Sequence, residues 1–459
     1  MDHEDTSIKR YALLASISAS FITPFMGSAI NLAIPSIGRS LNGSAVMLSW
    51  VVSSFLLATA ALLLPLGRLA DIYGRKRMFL LGILIFSLFS LLCGFAWSIL
   101  SLIILRVFQA VGGSLIFGTS IAILTSVYPP QERGRVLGIN VASVYIGLSV
   151  GPVLGGILNH QLGWPSIFFF SAFLGLVTFV FAVVKLKGEW ADARGESFDA
   201  PGAAAYLSGI AATLFGFSMI ASGFAKYVFG AGLVLLAIFV WRQAKIRHPL
   251  LDIRLFSRNL TFAFSNLAAL INYSATFALG FLLSVYLQII RGFDSQVSGL
   301  ILLSQPVLMA SLSPLAGRLS DRIDPRLVSS WGMGLTSLGL LAFVFIGAAM
   351  AIWEIVLLLV VIGVGFALFS SPNTNAIMGS VEKRFYGVAS STLATMRMLG
   401  QATSMAVATL VIHVYLGDVK LDLASHQALE KSLSISFAIF ALTCFAGVFA
   451  SLARGRKSE

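Results

Sequence analysis

The stretch GRLADIYGRKR at residues 67–77 gives the first indication of the fold, because GRLSDRIDPRL at residues 317–327 repeats its opening in the second half of the chain. Each stretch is rich in charge and separates two long apolar segments. Corresponding loops in the two halves of one chain are typical of membrane proteins built from parallel structural repeats. We therefore expect two repeated blocks of membrane helices.

The composition places most of the chain in hydrocarbon rather than in water. Of the 459 residues 58% are hydrophobic and 11% are charged, and the mean hydropathy is +0.92. Soluble domains are charged at about 25% of their positions, so a disordered chain, a secreted disulfide scaffold and a water-soluble enzyme are excluded. Cys93 and Cys444 lie in apolar runs without metal-ligand spacing, and we expect no metal and no cofactor.

Fourteen segments are long and apolar enough to cross a bilayer, which takes about 20 residues of helix. They cover residues 9–37, 45–66, 78–97, 99–128, 134–159, 164–186, 201–223, 226–244, 258–290, 295–316, 326–347, 351–376, 385–415 and 430–453. The first is long and is followed by further spans, so we interpret it as a retained helix and not as a cleaved signal. The predicted fold class is an all-α membrane protein with 14 transmembrane helices.

The positions of the basic residues indicate the orientation of these helices. With the N-terminus in the cytoplasm, the cytoplasmic segments hold 24 of the 31 Lys and Arg residues and the outer loops hold five, while Arg106 and Arg397 lie within spans. This distribution follows the positive-inside rule. The sequence therefore predicts a multi-pass protein of the plasma membrane with both termini cytoplasmic. The same rule explains the net charge of +12 without a nucleic-acid partner.

The repeated loops divide the chain into three parts. Residues 1–188 are predicted to form an N-terminal six-helix bundle, residues 189–250 a linker with two inserted helices, and residues 251–459 a C-terminal six-helix bundle. Residues 185–199 are the most charged stretch and suit a cytoplasmic linker. Transporters built from such halves bind their substrate near the midplane, at the interface of the repeats.

Polar side chains inside the spans predict where that cavity lies. The middles of spans 3, 6, 7, 8, 11 and 14 contain no amide or charged side chain, whereas the other spans contain Asn31, Arg106, Gln109, Asn140, Asn266, Asn272, Gln305, Asn373, Asn375, Arg397 and Gln401. Such groups are costly in hydrocarbon and usually face a cavity or one another. We expect a cavity lined by spans 1, 4, 5, 9, 10, 12 and 13 together with span 2, and the candidate aromatic walls are Trp50, Tyr145, Tyr273 and Phe281. The alternatives are amides that join helices and arginines that bind backbone carbonyls.

The motifs of the chain resemble those of the major facilitator superfamily, specifically its fourteen-helix drug/proton antiporter branch. The loop motif of the family is matched by Gly67, Asp71, Gly74, Arg75 and Lys76. Its fourth-helix motif is matched by Arg106, Gln109, Gly112 and Gly113, and its fifth-helix antiporter motif by Gly147, Gly151, Pro152, Gly155 and Gly156. The resemblance implies two six-helix bundles plus two inserted helices, and secondary active transport by alternating access.

The loop motif is expected to act as a conformational latch between the halves. Asp71 lies beside Arg75 and, in our interpretation, near Arg133 and Arg135 at the start of the fifth span. The resemblance implies that this latch holds the halves together when the cytoplasmic side is closed. The alternative is a solvated loop without a switching role. The second copy keeps Asp321 but has Asp324 and Pro325 in place of Gly74 and Arg75, and we expect Asp324 to cap the next helix.

The fifth span is expected to bend or slide against a neighbouring helix. Gly147, Gly151 and Gly155 recur every four residues and so share one helix face, and Pro152 removes a backbone hydrogen bond. Such a helix suits alternating access. Small-residue packing without any conformational role is the alternative interpretation.

The first span departs from the family pattern. In MGSAINLAIP, Ser28 and Asn31 match, but Met26 stands where the branch has an aspartate. Because no acidic residue lies mid-membrane, the cavity should be positive and suit neutral, zwitterionic or anionic amphipathic compounds. The groups that could carry a coupling proton, Asp71, Glu354 and His413, lie near the membrane edges.

Three functions remain open from the sequence. The first is a monomeric exporter of hydrophobic or amphipathic small molecules, driven by protons and embedded in membrane lipid. The second is a transporter or uniporter of a specific neutral or anionic metabolite or lipid that is not coupled to protons. The third is a membrane enzyme or receptor, for which the sequence offers no HExxH, GxSxG or P-loop motif and no catalytic cluster.

Overall fold

The computed structural model describes residues 2–251, 253–347, 349–382, 386–417, 419–420 and 426–454, and of residues 2–6, 130, 134 and 321 it describes the backbone alone. The helices of the first part are α1 (Asp2–Leu41), α2 (Ala45–Tyr73), α3 (Arg75–Gly94), α4 (Ile99–Val127), α5 (Pro130–Leu162), α6 (Pro165–Lys185), α7 (Ala200–Ser218) and α8 (Ala225–Gln243). Those of the second part are α9 (Ile253–Arg258), α10 (Leu260–Thr276), α11 (Ala278–Val285), α12 (Ser295–Leu302), α13 (Ser304–Arg322), α14 (Pro325–Ala342), α15 (Ile352–Gly379), α16 (Tyr386–Tyr415) and α17 (His426–Leu452).

These helices confirm the prediction of 14 spans. α10, α11 and a π-helical turn at Tyr286–Ile290 together make the ninth span, and α12 with α13 makes the tenth. Fourteen helical segments of the described residues are long and apolar enough to cross a membrane. Over the same residues the fold contains no strand, apart from an isolated bridge between Ser44 and Lys420.

Polar caps begin the helices in the short loops, because the first N–H groups of a helix need partners outside it. Ser98 and Ser101 form a reciprocal capping box at α4. Asn259 caps α10 through the amide N–H of Phe262. Asp324 accepts a hydrogen bond of 2.9 Å from the amide N–H of Arg326, which confirms the predicted cap of α14.

The same packing pattern occurs twice. In the first half α1 packs on α5 and α6, α2 packs on α4, and α3 packs on α4 and α6. In the second half α10 packs on α16 and α17, α13 packs on α15, and α14 packs on α15 and α17. Close approach depends on glycine where Gly112 of α4 leaves no room for a side chain beside the backbone of Gly82 and Phe86. The inserted helices α7 and α8 pack on each other, and α7 lies against α2 and α16.

Helices that lack polar residues expose apolar side chains around the outside. Leu88 of α3 is 49% exposed, Val180 of α6 is 58% exposed and Leu442 of α17 is 70% exposed. Apolar residues on a surface of this kind require lipid as solvent. The described chain is therefore a multi-pass membrane protein.

The halves meet at one end of the molecule and along one side, and a cavity lies between them at the other end. We call the membrane face that carries the start of α1 and the end of α17 the terminal face, and the opposite one the distal face. Contacts between the halves join α1 to α11 and α5 to α12 near the distal face, and α2 and α4 to α16 along the side. Helix ends of the terminal face line the cavity between the halves.

Candidate functional site

A cavity of about 1340 Å³ lies between the halves and opens at the terminal face. It is larger than the roughly 300–1,000 Å³ of ordinary small-molecule sites. The first half contributes mainly α5, and the second half contributes α13, α15 and α16 together with the helix ends at the mouth. Its polar and aromatic lining includes Arg135, Asn140, Tyr145, Asn259, Thr261, Ser313, Asp324, Arg326, Ser370, Thr374, Asn375, Tyr386, Ser390, Arg397 and Arg454.

Hydrogen bonds between the halves close the distal end. The Ser284 hydroxyl donates to the carbonyl of Asn31 at 2.6 Å, and the Gln288 amide donates to the carbonyl of Leu32 at 3.1 Å. The Ser295 hydroxyl donates to the carbonyl of Gly156 at 3.1 Å. These bonds join α1 to the ninth span and α5 to α12, so a solute has access from the terminal face.

Tyr145 lines the inner end of the cavity, and Tyr273 packs behind it. Tyr145 of α5 shares a hydrogen bond with the hydroxyl of Ser370 on α15, across the two halves. Tyr273 of α10 packs edge-on against Phe366 with ring centroids 5.3 Å apart. The guanidinium of Arg397 lies 5.5 Å from the centroid of the Tyr273 ring and donates to the Thr374 hydroxyl at 3.2 Å. The inner end thus offers aromatic faces beside one cation.

The charges of the described lining are mostly positive. Four arginines, Arg135, Arg326, Arg397 and Arg454, line the cavity, together with the single carboxylate of Asp324. Asp324 lies at the mouth, where it caps α14. A cavity with this imbalance attracts anions and repels cations.

Four of the predicted cavity residues line the observed cavity, namely Asn140, Tyr145, Asn375 and Arg397. Asn375 donates to the Ser320 hydroxyl of α13 at 2.8 Å. Tyr273 lies directly behind them, in contact with Tyr145.

The other predicted amides lie outside the lining. Asn31, Asn266, Asn272 and Asn373 are buried in the helix packing, while Gln305 and Gln401 are half-buried. Ser28 donates to carbonyls of its own helix, at Pro24 and Phe25. Asn266 likewise donates within its helix, to Phe262. Within the described residues, no hydrogen-bond partner reaches the side-chain oxygens of Asn31, Asn140, Asn266, Asn272 and Asn373.

Arg106 and Gln109 of α4 also lie outside the described lining. Arg106 is 1% exposed, donates to the carbonyl of Val51 and to Gln109, and lies 4.3 Å from the ring centroid of Phe55. Gln109 in turn donates to the hydroxyl of Ser90. Arg106 precedes the cavity residue Ile121 by about 22 Å along α4, which places it towards the closed distal end. In this conformation the structure matches the alternative in which carbonyls compensate Arg106.

The first loop, residues 67–77, is bound by the linker that follows α6. Arg75 is 8% exposed, and its guanidinium pairs with Asp71 at 2.6 Å and with Asp192 of the linker at 2.6 Å. The amide N–H of Arg75 donates to the carbonyl of Trp190, and the amide of Ala193 donates to the carbonyl of Asp71. The described partners of Asp71 are therefore Arg75 and the linker.

Acidic side chains complete this contact. Glu196 pairs with Arg68 and lies 2.7 Å from His248. Glu189 accepts hydrogen bonds from the backbone amides of Lys76 and Arg77. Gly74, which precedes Lys76 and Arg77, has φ of 119°, a conformation that L side chains rarely adopt, and a β-carbon at this position would clash with the Glu189 carboxylate. We call residues 189–196 the acidic clasp.

The other residues of the predicted latch have separate surroundings. Gly67 lies where α2 and α4 approach closely, next to Gly118. Arg133 donates to the carbonyl of Tyr128 at 3.0 Å, and Arg135 lines the cavity. The side chain of Asp321 lies outside the described residues.

The glycines of α5 contact two different helices. Gly147, Gly151 and Gly155 lie against the backbone of α1, at Phe21, Phe25 and Ala29. Gly156 instead meets the backbone of Ser295, and Pro152 lies against Gly299, both on α12. The motif therefore joins α5 to its own half on one face and to the other half on the next.

Asp199 anchors the inserted hairpin. It caps α7 through Gly202 and accepts hydrogen bonds of 2.8 Å from Arg242 and from Gln243. Burial raises the pKa of this carboxyl, but the bonds from Gly202, Arg242 and Gln243 outweigh burial and hold the pKa below its usual value. The anchor fixes both ends of the insert close to the acidic clasp.

Several cavity residues were not predicted from the sequence. From the sequence, Arg326 and Arg454 are interpreted as ordinary cytoplasmic charges, and Ser370 and Thr374 are interpreted as residues of an apolar span. The lining also includes the starts of α10 and α14, whereas the described part of α1 and α2 contributes no lining residue. Only the polar spacing from Ser370 to Asn375 on α15 could have indicated part of this surface.

Known proteins resemble the chain over nearly its whole length. It is 29% identical to the riboflavin transporter RibZ of Clostridioides difficile (strain 630), with 96% of each chain covered. It is 30% identical to the multidrug resistance protein Stp of Mycobacterium tuberculosis (strain CDC 1551 / Oshkosh), with 84% of this chain and 73% of Stp covered. The solved structure of a bacterial homolog of the human lysosomal transporter Spinster, in an inward-facing and unoccupied conformation, shares the fold with a TM-score of 0.71 at 15% identity, covering 97% of both chains.

The family assignment rests on a match that covers both halves. The model of the Major Facilitator Superfamily matches residues 17–405 and, in a second alignment, residues 266–458. Two overlapping matches agree with the repeated packing of the two halves. The chain therefore belongs to the Major Facilitator Superfamily, and it is a secondary transporter rather than an enzyme.

Proposed function

We propose that this transporter exports amphipathic small molecules that carry an aromatic or apolar body and are neutral or anionic. The observation that supports this most is the lining of the cavity, in which Tyr145 and Tyr386 occur with four arginines and one carboxylate, while Tyr273 packs behind Tyr145. Aromatic faces bind apolar rings without demanding one shape. An excess of guanidinium groups disfavours lipophilic cations.

The direction of transport in this proposal depends on orientation. The distribution of basic residues favours a cytoplasmic terminal face, and in that orientation the cavity would load from the cytoplasm of a cell whose plasma membrane holds the protein. In this arrangement residues 1–188 and 251–459 are the moving halves, and residues 189–250 are the insert that links them.

Alternating access would exchange the contacts at the two faces. The bonds from Ser284 to Asn31 and from Gln288 to Leu32 must break for the distal face to open. The glycine faces of α5 suit this step, because small residues let helices slide against each other at little steric cost. Residues around the mouth, such as Arg135 and Asp324, would then approach one another.

Proton antiport is the coupling that we propose first. Stp carries the name of a multidrug resistance protein, and export against a gradient requires a driving ion. Asp71, Glu354 and His413 are the candidate proton carriers named by the sequence, and Asp324 is the carboxylate of the described lining.

A second candidate is a transporter or uniporter of one neutral or anionic metabolite that is not coupled to protons. The lining favours it, because the described residues of the membrane-embedded part of the cavity include no carboxylate. RibZ, a riboflavin transporter by name, covers as much of the chain as any relative reported above.

Flux measurements in proteoliposomes test both candidates. The panel contains riboflavin as a neutral aromatic compound, fluorescein as an anionic one and ethidium as a cationic one, under imposed pH, sodium and voltage gradients. We expect flux of the first two and little of ethidium. Loss of flux on collapse of the pH gradient supports antiport, whereas unchanged flux supports the second candidate. Preferred transport of ethidium would overturn the proposal.

Arg397→Ala sharpens this test. Because the guanidinium faces the Tyr273 ring at the inner end, we expect its loss to weaken fluorescein transport by roughly tenfold, the effect of about one charge-assisted hydrogen bond. Ethidium transport should rise or stay equal. Arg322→Ala is the matched control, since Arg322 is exposed at the end of α13 and outside the described lining.

A further inference from the structure

Arg454 is a buried cation whose guanidinium has no partner. The residue follows α17 at the terminal face and is 1% exposed. Within the described chain, Nε, Nη1 and Nη2 of its side chain all lack a hydrogen-bond partner. Arginine in protein interiors is normally paired, since an uncompensated buried charge is strongly unfavourable. Arg454 also lines the cavity, and its guanidinium is enclosed in the cavity wall, so a rotation of the side chain would present its free donors to a ligand at the mouth.

The surroundings of Arg454 hold its backbone and leave its side chain free. The Thr261 hydroxyl donates to the carbonyl oxygen of Arg454 at 3.0 Å, which fixes the end of α17 to the start of α10. Burial lowers the pKa of the Arg454 guanidinium, and the nearby charge of Asp324 partly opposes this shift. The residue is thus held in place by contacts that do not use its donors.

Asp324, the acidic residue of the described cavity lining, is engaged elsewhere. One of its oxygens accepts the amide N–H of Arg326, and the other lies 3.7 Å from the guanidinium of the same residue. The described ion pairs of Asp324 do not include Arg454. Arg326 supplies a second cation, so Arg326 and Arg454 together outweigh the single carboxylate.

We propose that Arg454 anchors an oxyanion-binding subsite at the terminal mouth of the cavity, which binds the phosphate or carboxylate head group of an amphipathic molecule. The planar fork of a guanidinium matches such groups with two parallel hydrogen bonds. The inference rests on the proposed function, because it assigns the polar end of the substrate to the mouth and leaves the tyrosines for its apolar body.

The fold also sets a length for the ligand. Thr261 at the mouth and Tyr273 at the inner end lie on the same helix, twelve residues and about 18 Å apart along its axis. A molecule that reaches both the subsite and the tyrosines must be elongated. Short oxyanions such as inorganic phosphate should therefore bind more weakly than alkyl phosphates.

Binding to the purified full-length protein tests the subsite without any transport. The probes are dodecyl phosphate, hexyl phosphate, inorganic phosphate and the neutral dodecyl glucoside, each titrated by calorimetry in a neutral detergent. We expect dodecyl phosphate to bind most tightly, and Arg454→Gln to weaken it by roughly tenfold or more. Arg454→Lys should restore part of the affinity. Arg322→Gln, which changes an exposed arginine of the same face, should bind as the parent does.

Thermal stability separates a ligand-binding role from a structural one. If Arg454 serves a ligand, the apo Arg454→Gln protein should be as stable as the parent or more stable, because an unpaired buried charge is removed. Parent affinity for dodecyl phosphate in Arg454→Gln would overturn the proposal. If Arg454→Gln does not fold, Arg454→Lys is measured in its place. The proposal is then overturned if Arg454→Lys binds dodecyl phosphate with the affinity of the parent and prefers it over dodecyl glucoside as strongly as the parent does.

A lipid-binding experiment distinguishes the head group of a membrane lipid from that of a free solute. Nanodiscs of phosphatidylglycerol and of phosphatidylcholine are compared, with native mass spectrometry of the lipid retained by the parent and by Arg454→Gln. Retention of phosphatidylglycerol that is lost in the variant assigns the subsite to a lipid head group. Equal retention with lost dodecyl phosphate affinity assigns it to a solute. If binding depends on Arg454 but no compound of the transport panel is carried, the proposed function fails while the subsite stands.

Discussion

The two copies of the repeated loop differ in what holds them. In residues 67–77 the chain is bound by the acidic clasp, which pairs with Arg68, Arg75 and Arg77. In residues 317–327 the counterpart of Arg68 is Arg318, an exposed residue without an ion pair among the described residues. Asp324 there caps α14 and lines the mouth of the cavity.

The difference has a topological cause. The clasp follows α6, which packs on α3, and α3 begins within the first loop, at Arg75. The linker therefore emerges beside the first loop. The two loops occupy corresponding places in the repeat, but only the first has the acidic clasp beside it. The neighbouring segment, and not the repeated sequence, therefore determines whether the charges of the loop are paired.

The largest effect is expected from Arg75→Ala, at about 3 kcal/mol of unfolding free energy. Removing the buried Arg75 guanidinium breaks its ion pairs with Asp71 and Asp192 and its hydrogen bonds to Ala122 and Ser126. Each hydrogen bond to a charged group contributes about 1.5–3 kcal/mol, and the exposure of Asp192 reduces its share. Thermal unfolding of the purified protein in detergent, followed by tryptophan fluorescence, measures the change. An unchanged midpoint would show that the clasp adds nothing to the first loop. Arg322→Ala is the control from the second loop.

Gly74→Ala is expected to cost about 1–3 kcal/mol, because a β-carbon is strained at φ of 119° and would displace Glu189 from its backbone bonds. The same thermal unfolding experiment measures the loss. The matched change at its counterpart is Asp324→Ala, where φ is −49° and no such strain arises. Equal stability of Gly74→Ala and the parent would contradict the geometry.

Asp324→Ala should lower stability by about 1 kcal/mol, the usual effect of a lost helix cap. Because the same change removes the carboxylate from the cavity mouth, anionic substrates should also be transported faster or at lower concentration. Unfolding and proteoliposome flux of fluorescein are the two measurements. A stable variant with slower anion flux would reverse our interpretation of the mouth.

The smallest effects are expected from the matched pair Arg68→Ala and Arg318→Ala. Arg68 pairs with Glu196 in a partly exposed position, and such pairs contribute about 0.5–1 kcal/mol. Arg318 is exposed, and its loss should change stability by less than about 0.5 kcal/mol. Comparing the two unfolding midpoints at low and high salt tests this, since only the first difference should shrink with salt. Equal losses would contradict the asymmetry between the loops.

The sequence predicted the number of the spans because hydrocarbon imposes a length and a polarity on each one. It ended the second and tenth spans too early, at residues 66 and 316, because their helices continue as polar turns beyond the hydrocarbon to Tyr73 and Arg322. It also predicted the cap at Asp324, since capping depends on a few neighbouring residues. For the cavity, Tyr145 and Arg397 were found from their depth in the membrane. Arg106 is as polar as Arg397, but it lies towards the distal end, where the halves are in contact in this conformation. It is therefore not part of the described cavity lining.

The amino-acid sequence alone was sufficient to predict the fourteen membrane helices and the family. Local polarity and periodicity carry that information, so it needs no knowledge of distant contacts. What only the tertiary structure decided is which charges are paired. In the sequence, Arg75 and Arg454 are both basic residues beside a span. In the fold, Asp192 of the acidic clasp pairs with Arg75, whereas the Arg454 guanidinium has no hydrogen-bond partner among the described residues. Whether two charges pair depends on which segments folding brings together, because the interaction energy of two charges falls as the distance between them grows.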